Sequence, residues 1–245
     1  MSKYRGNRWS GRLLGKGRLA VILIVPVAVF AFILFRNASK PAIVPDGRVI
    51  THVPVIDAGH GGIDGGAISR TGVNESEINL QIAVKADLLM RFLGIPSVMV
   101  RTEDISIHDP DAKTVREKKR SDLNNRVKLV QNQPTAVLLS IHQNTFSNPK
   151  LFGLQAFYGK AHGSKDLADI IQNVQKTSLD TKNSRQITAV RKDVFLMNNV
   201  TCPAVLVECG FLTNADEERR LRDEKYQKKL AAVLVSSFLQ WKAEG

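Results

Sequence analysis

Five short apolar runs punctuate the chain after residue 50, and each is continuous instead of alternating. They read "VPVI" at 53–56, "PSVMV" at 96–100, "AVLLSI" at 136–141, "LQAFY" at 154–158 and "PAVLV" at 203–207. Runs of this kind fit strands covered on both faces. Between them the period lengthens. From Glu75 to Leu93, apolar residues Ile78, Ile82, Leu89 and Phe92 recur at helical steps, and Gly94 and Pro96 end the pattern. Residues 121–132, 165–180 and 223–241 also read as helices. Strands alternating with helices predict a three-layer α/β domain: a mostly parallel, twisted sheet with helices on both faces. The segment 103–122, "EDISIHDPDAKTVREKKRSD", is charged with little apolar patterning and reads as an exposed insertion.

A different pattern precedes the domain. Leu19 to Phe35 is an apolar run of seventeen residues, with six Lys or Arg before it and Arg36 after it. That length is short for a membrane span and long for a signal-peptide core. The basic flank would keep residues 1–18 in the cytosol and export the rest. No clean small-residue cleavage site follows, so 19–35 reads as an uncleaved signal-anchor, with a cleaved signal peptide as the alternative. Residues 37–52, with two prolines, read as a linker to a catalytic domain at 53–241.

Charge changes the picture modestly. The formal net charge is +12, but residues 1–36 hold seven of the 35 basic side chains and no acid. The remaining 28 basic and 23 acidic groups leave +5 for the rest, a weak case for nucleic-acid binding. Cys202 and Cys209 flank "PAVLVE". In one extended strand they would lie roughly 20 Å apart, too far to bridge. An exported chain with no evident internal disulfide suits a Gram-positive-like surface better than a disulfide scaffold.

Three strand runs end in a residue fit for metal binding or proton transfer. "VPVIDAGH" delivers His60, "AVLLSIHQN" delivers His142 and "PAVLVECGF" delivers Glu208. Ligands of open α/β sheets bind outside the carboxyl ends of strands, so parallel strands would bring the three together. Zinc takes histidine and carboxylate ligands and leaves a position open in catalytic sites. Glu75, opening the first long helix, can supply the third ligand, although an acid in a first turn is favoured by the helix dipole anyway. Asn74-x-x-Glu77 fits a variant of the capping pattern, which gives Glu77 the structural task. Alone, each histidine would more often be a satisfied core residue. Glu208 would be costly to bury unpaired. Asp57 is expected to orient His60 or its loop through hydrogen bonds. Asp64 is expected to serve a turn, and His52, His108 and His162 lie in polar contexts without a role. The glycines of "DAGHGGIDGGA" do not form a phosphate loop: no "GK[ST]" follows and no "GxGxxG" opens a helix. They let the chain turn tightly beside a metal and leave a shallow approach for a bulky substrate.

With these residues in view, "VIDAGHGGIDGGAI", "GVNESEINLQIA", "LLSIHQN" and "VLVECGFLTNADEERRL", in that order, resemble the zinc-dependent N-acetylmuramoyl-L-alanine amidases of the amidase-3 family. The resemblance covers nearly all of 53–240. It implies zinc ligands at His60, Glu75 and His142 and a catalytic glutamate at Glu208. Asp57 and Asn144 are expected to support the site or touch substrate. Ala58 stands where the family often has proline, and Cys209 where many members have valine; neither alters a ligand. An inhibitory helix like that of the family's regulated members is not identifiable. The resemblance implies cleavage of the amide between N-acetylmuramic acid and L-alanine in peptidoglycan. A short basic anchor with one catalytic domain and "ECGFLTN" is most similar to the spore-cortex type. That type acts with a peptidoglycan deacetylase in forming muramic-δ-lactam, in some members with a lipoprotein activator. The expected location is outside the membrane, in the forespore intermembrane space for that type. The alternatives are a vegetative wall amidase, a zinc peptidase or deacylase on the same frame, and an inert wall-binding or hydrolase-recruiting relative.

Overall fold

The computed structural model describes residues 52–244. The basic segment, the apolar run at 19–35 and all but the last residue of the linker lie outside the described residues. Among the described residues no helix is long and apolar enough to cross a membrane.

In chain order the elements are β1 (Val53–Ala58), α1 (Glu75–Phe92), β2 (Val98–Met99), α2 (Val115–Gln131), β3 (Ala136–Asn144), β4 (Gln155–Tyr158), α3 (Ser164–Ser178), β5 (Thr188–Ala189), α4 (Phe195–Asn199), β6 (Ala204–Phe211), α5 (Ala215–Arg222) and α6 (Glu224–Glu244). The strands form one sheet in the order β2-β1-β3-β6-β4-β5. The first four in that order run parallel. β4 is antiparallel to β6, and β5 follows β4. The "LQAFY" run therefore reverses direction, because a short connection returns the chain from the end of β3 past the outer side of β6.

Alternation along the strands sends side chains to two cores. Ile56, Leu139, Val205 and Val207 pack with Ile78, Ile82, Leu167, Leu234 and Phe238, from α1, α3 and α6. Val55, Leu138 and Leu206 pack with Val130, Leu196 and Met197, from α2 and α4. Both faces are covered, which is why these strands read as continuous apolar runs.

The charged segment 103–122 is only half an insertion. α2 begins at 115, earlier than the periodicity implies, because Thr114 and Glu117 form a reciprocal cap: Glu117 N donates to Thr114 Oγ1 at 3.2 Å, and Thr114 N donates to Glu117 Oε2 at 2.8 Å. Its few buried positions include Asp122 and Arg126, so apolar spacing could not reveal it. α4 and α5 are short and also escape a periodicity argument. Asn214 caps α5 by accepting from the backbone N–H of Asp216 and Glu217.

Candidate active site

β1, β3 and β6 deliver His60, His142 and Glu208 to one pole of the sheet. His142 and Glu208 face each other in register across β3 and β6, just before a bulge ends the regular pairing. Both continue the set of positions facing α2 and α4, two steps on from Ser140 and Leu206. His60 follows β1 with a φ of 62°, a left-handed conformation unusual for a residue with a Cβ. Glu75 returns to the same place as the first residue of α1 and is buried.

The three side chains converge. One ligating atom from each of His60, Glu75 and His142 lies within 4.8 Å of the others. Glu75 Oε1 is 2.9 Å from His142 Nδ1, and Glu75 Oε2 is 3.4 Å from His60 Nε2. Two ligands about 2.1 Å from a tetrahedral zinc would sit about 3.4 Å apart. The two imidazoles meet edge to face with centroids 5.0 Å apart. Two glycines clear the space. A Cβ at Gly59 would collide with the His142 ring, and one at Gly66 would lie 2.7 Å from both Glu75 Oε2 and His60 Cδ2.

Fixed neighbours hold each ligand. Glu75 Oε1 accepts from Gln143 N at 3.1 Å and Asn79 Nδ2 at 3.2 Å, and Oε2 accepts from Ala67 N at 3.0 Å. His60 Nδ1 lies 3.1 Å from Asp64 Oδ2, leaving Nε2 to face Glu75. Burial disfavours charge on His60, but the Asp64 and Glu75 carboxylates outweigh it and raise the imidazole to about 9. A field that favours a proton there favours a cation in the same place. Glu208 differs. Burial pushes its carboxyl up to about 7, against the pull of His142, and Oε2 is buried without a hydrogen-bond partner. An orphaned carboxylate oxygen beside two histidines and a glutamate fits a site that receives a cation and a polar substrate.

The profile of the N-acetylmuramoyl-L-alanine amidase family matches residues 55–238. The chain belongs to this family. Its members hydrolyse the amide between N-acetylmuramic acid and L-alanine, and this chain is such a cell-wall hydrolase. Among curated proteins, the germination-specific N-acetylmuramoyl-L-alanine amidase of Bacillus subtilis is 31% identical, covering 97% of this chain and 95% of its own length. The amidase AmiA of Escherichia coli is 28% identical, covering 83% of this chain and 81% of its own. Among solved structures, the CwlD amidase of Clostridioides difficile, in complex with the GerS lipoprotein, superposes with a TM-score of 0.76 at 35% identity. That match covers 79% of this chain and all of the other.

The supporting residues of the amidase match expectation in part: Asp57 works on the loop of His60, one of the two roles foreseen for it. Asp57 does not touch the His60 ring. It accepts from Ser140 Oγ and Arg126 Nη1, each at 2.6 Å, which outweigh burial and hold its carboxyl below the usual range. It reaches the site through Arg126, whose Nη2 donates to the carbonyl of His60 at 2.6 Å. Asp64, expected in a turn only, is the residue beside the His60 ring; its other oxygen accepts from Gly66 N at 3.3 Å. Asn74 makes no side-chain cap on α1, and Glu77 is exposed, so its contribution there is to the helix dipole alone. Asn144 lies beyond the bulge in β3, where its carbonyl accepts from Leu212 N at 2.8 Å. Cys202 and Cys209 are free thiols.

Arg101 and Arg126 escaped the sequence reading. Both are buried, and together they grip the carbonyls of Ala58, Gly59 and His60. Arg126 also binds Asp122. Arginine spacing alone marks neither; the cue lay in two arginines at positions that also fit buried helix and strand-end registers. A cavity of about 750 Å³, lined in part by Tyr158, Lys160 and His162, contains none of the converging residues. It lies at the opposite pole, since Tyr158 pairs with Val205 while Gln155 pairs with Glu208.

Proposed function

We propose that this amidase is a zinc enzyme with His60, Glu75 and His142 as protein ligands and Glu208 as the general acid–base. The observation that carries the reading is convergence: three ligating atoms lie within 4.8 Å, and Glu208 sits in register beside His142. Zinc, when bound, supplies a Lewis acid that polarises the scissile carbonyl and acidifies water.

The chain's own residues do the rest. Glu208 accepts the proton of the attacking water and passes it to the nitrogen of the departing L-alanine. A carboxyl near neutrality can both take and give a proton at working pH. Asp64 orients the His60 ring, and Asn79 and Gln143 hold the Glu75 carboxylate, so the ligand set is positioned before metal arrives. Asp57 acts through Arg126 on the loop that carries His60.

The setting we propose is spore-cortex maturation. Similarity to a germination-specific amidase along 97% of the chain supports it. The uncapped muramic acid left by this cleavage is what a deacetylase needs to form muramic-δ-lactam. A lipoprotein partner is proposed from the likeness to the amidase solved with one. The apolar run at 19–35 would anchor the enzyme, uncleaved, with its catalytic domain outside.

The test is mass spectrometry of purified peptidoglycan digested by the protein, with and without a chelator. Free stem peptides beginning at L-alanine, lost on chelation and restored by zinc, are expected. Cleavage within the stem would identify a peptidase instead. Spores of a deletion strain that keep muramic-δ-lactam would move the enzyme to vegetative wall, and a mature start near residue 39 would refute the uncleaved anchor.

A further inference from the structure

Beside the catalytic pole, on the α2 and α4 side of the sheet, lies a hollow of about 240 Å³. It is lined by Arg116, Lys119, Arg120, Leu123 and Phe195. The three cations come from the first half of α2, and Phe195 opens α4. The hollow joins the site through one chain of contacts. Lys119 Nζ is 3.0 Å from Asp64 Oδ2, and the same oxygen is 3.1 Å from His60 Nδ1. His142 and Glu208 lie on the side of the sheet that α2 and α4 cover, the same side as the hollow.

Two features make it more than a solvated basic stripe. Arg116 and Arg120 have no carboxylate within salt-bridge distance among the described residues, although α2 as a whole carries acids. Their stems frame an apolar floor, with Phe195 38% exposed. A ligand that buries a short aliphatic chain and presents a carboxylate to two guanidinium forks would satisfy both. The cleavage reading supplies such a ligand. The stem peptide departs from its L-alanine end, and free carboxylates follow a few bonds later on aliphatic side chains.

We propose that the hollow between α2 and α4 is a specificity subsite, in which Arg116 and Arg120 bind a free carboxylate of the peptide stem. This rests on the amidase reading and extends it from the bond cleaved to the stem recognised. Lys119 is neutralised by Asp64 and belongs to the support of His60. Arg191, whose charge reaches Glu208, is paired with Asp193 at 3.1 Å and does not line the hollow.

The experiment compares two soluble muropeptides, identical except that stem carboxylates are free in one and carboxamides in the other. Zinc-loaded protein and the double variant Arg116→Gln, Arg120→Gln would be assayed on both. The wild type should prefer the free acid by about tenfold in kcat/KM, chiefly through KM, as expected for two charge-assisted contacts at a partly exposed site. In the double variant the ratio between the two substrates should collapse toward one. Titration calorimetry with the free stem peptide should show the same loss, independently of turnover. A wild-type ratio near one, or a ratio that survives the double substitution, would overturn the subsite while leaving amide cleavage in place. Cleavage of neither muropeptide by the wild type would overturn the amidase reading and the subsite together. Both arginines are exposed, and thermal unfolding of the double variant within a few degrees of wild type verifies that the fold persists.

Discussion

The two faces of the sheet are built from different materials. Under α1, α3 and α6 the packing is mainly apolar, with Ile78, Ile82, Met90, Leu167 and Phe238 almost wholly buried and a few buried amides such as Gln172 and Gln227 hydrogen-bonded to backbone carbonyls. Under α2 the buried layer includes Arg126, Asp122, Asp57 and Ser140, joined by hydrogen bonds of 2.6–2.7 Å. The first face follows the rule that apolar area removed from water drives folding. The second accepts the desolvation cost of charges and uses them to fix the carbonyls of residues 58–60. The α2 side, which has an apolar cluster of its own around Val55 and Leu138, adds the positioning of the loop that carries His60.

Five substitutions would break or sharpen that contrast. The largest effect is expected at the chemistry itself. Glu208→Gln keeps size and a hydrogen-bonding oxygen but cannot carry the proton, so activity should fall about 100- to 10,000-fold. Zinc stoichiometry, measured on the same preparation, should stay full; loss of zinc would make Glu208 a ligand.

Next comes the polar face. Arg126→Met leaves Asp57 and Asp122 buried without their partner and should cost about 3–5 kcal/mol of stability. Zinc content should fall as well, because the carbonyl of His60 loses its donor. On the apolar face, Ile82→Ala should cost about 2–5 kcal/mol through a cavity, with zinc content and kcat per folded molecule unchanged. Denaturant unfolding paired with metal analysis separates the two, and equal zinc retention in both variants would erase the distinction.

The acid limb gives a smaller, signed effect. The Asp57 carboxyl is held below its unfolded value of about 3.9, so its contribution is fully present above that pH. It is lost as pH falls through the lower folded value. Asp57→Asn should therefore flatten the loss of stability below about pH 4. An unchanged acid limb would show that Arg126 does not depend on this partner. Smallest of all, Glu77→Ala removes an exposed first-turn acid and should cost about 0.3–1 kcal/mol at most, with zinc retained.

The apolar face and the ends of the strands could be read from sequence because both obey simple periods. Ile78 and Ile82 announce α1, and the motifs ending in His60, His142 and Glu208 announce the pole where they meet. The polar face could not be read that way. α2 has few buried positions, and the most informative of them, Asp122 and Arg126, look like solvent residues until Asp57 on β1, the partner of Arg126, is known. Asp64 meets the His60 ring in addition to serving its turn, and Asp57 reaches only the loop, for a related reason. Which carboxylate meets a given imidazole depends on the left-handed turn at His60, a conformation that residue type does not announce.

The sheet ends on each side in a strand of two residues, β2 at one edge and β5 at the other. An exposed edge is a row of unpaired amides and carbonyls that another chain can join, and its grip grows with length. Here a neighbouring molecule would find two residues to pair with, not the nine of β3, which lies inside the sheet. Crowded beside its neighbours, such a domain offers little template for strand-by-strand aggregation, even in solutions concentrated enough to drive it elsewhere.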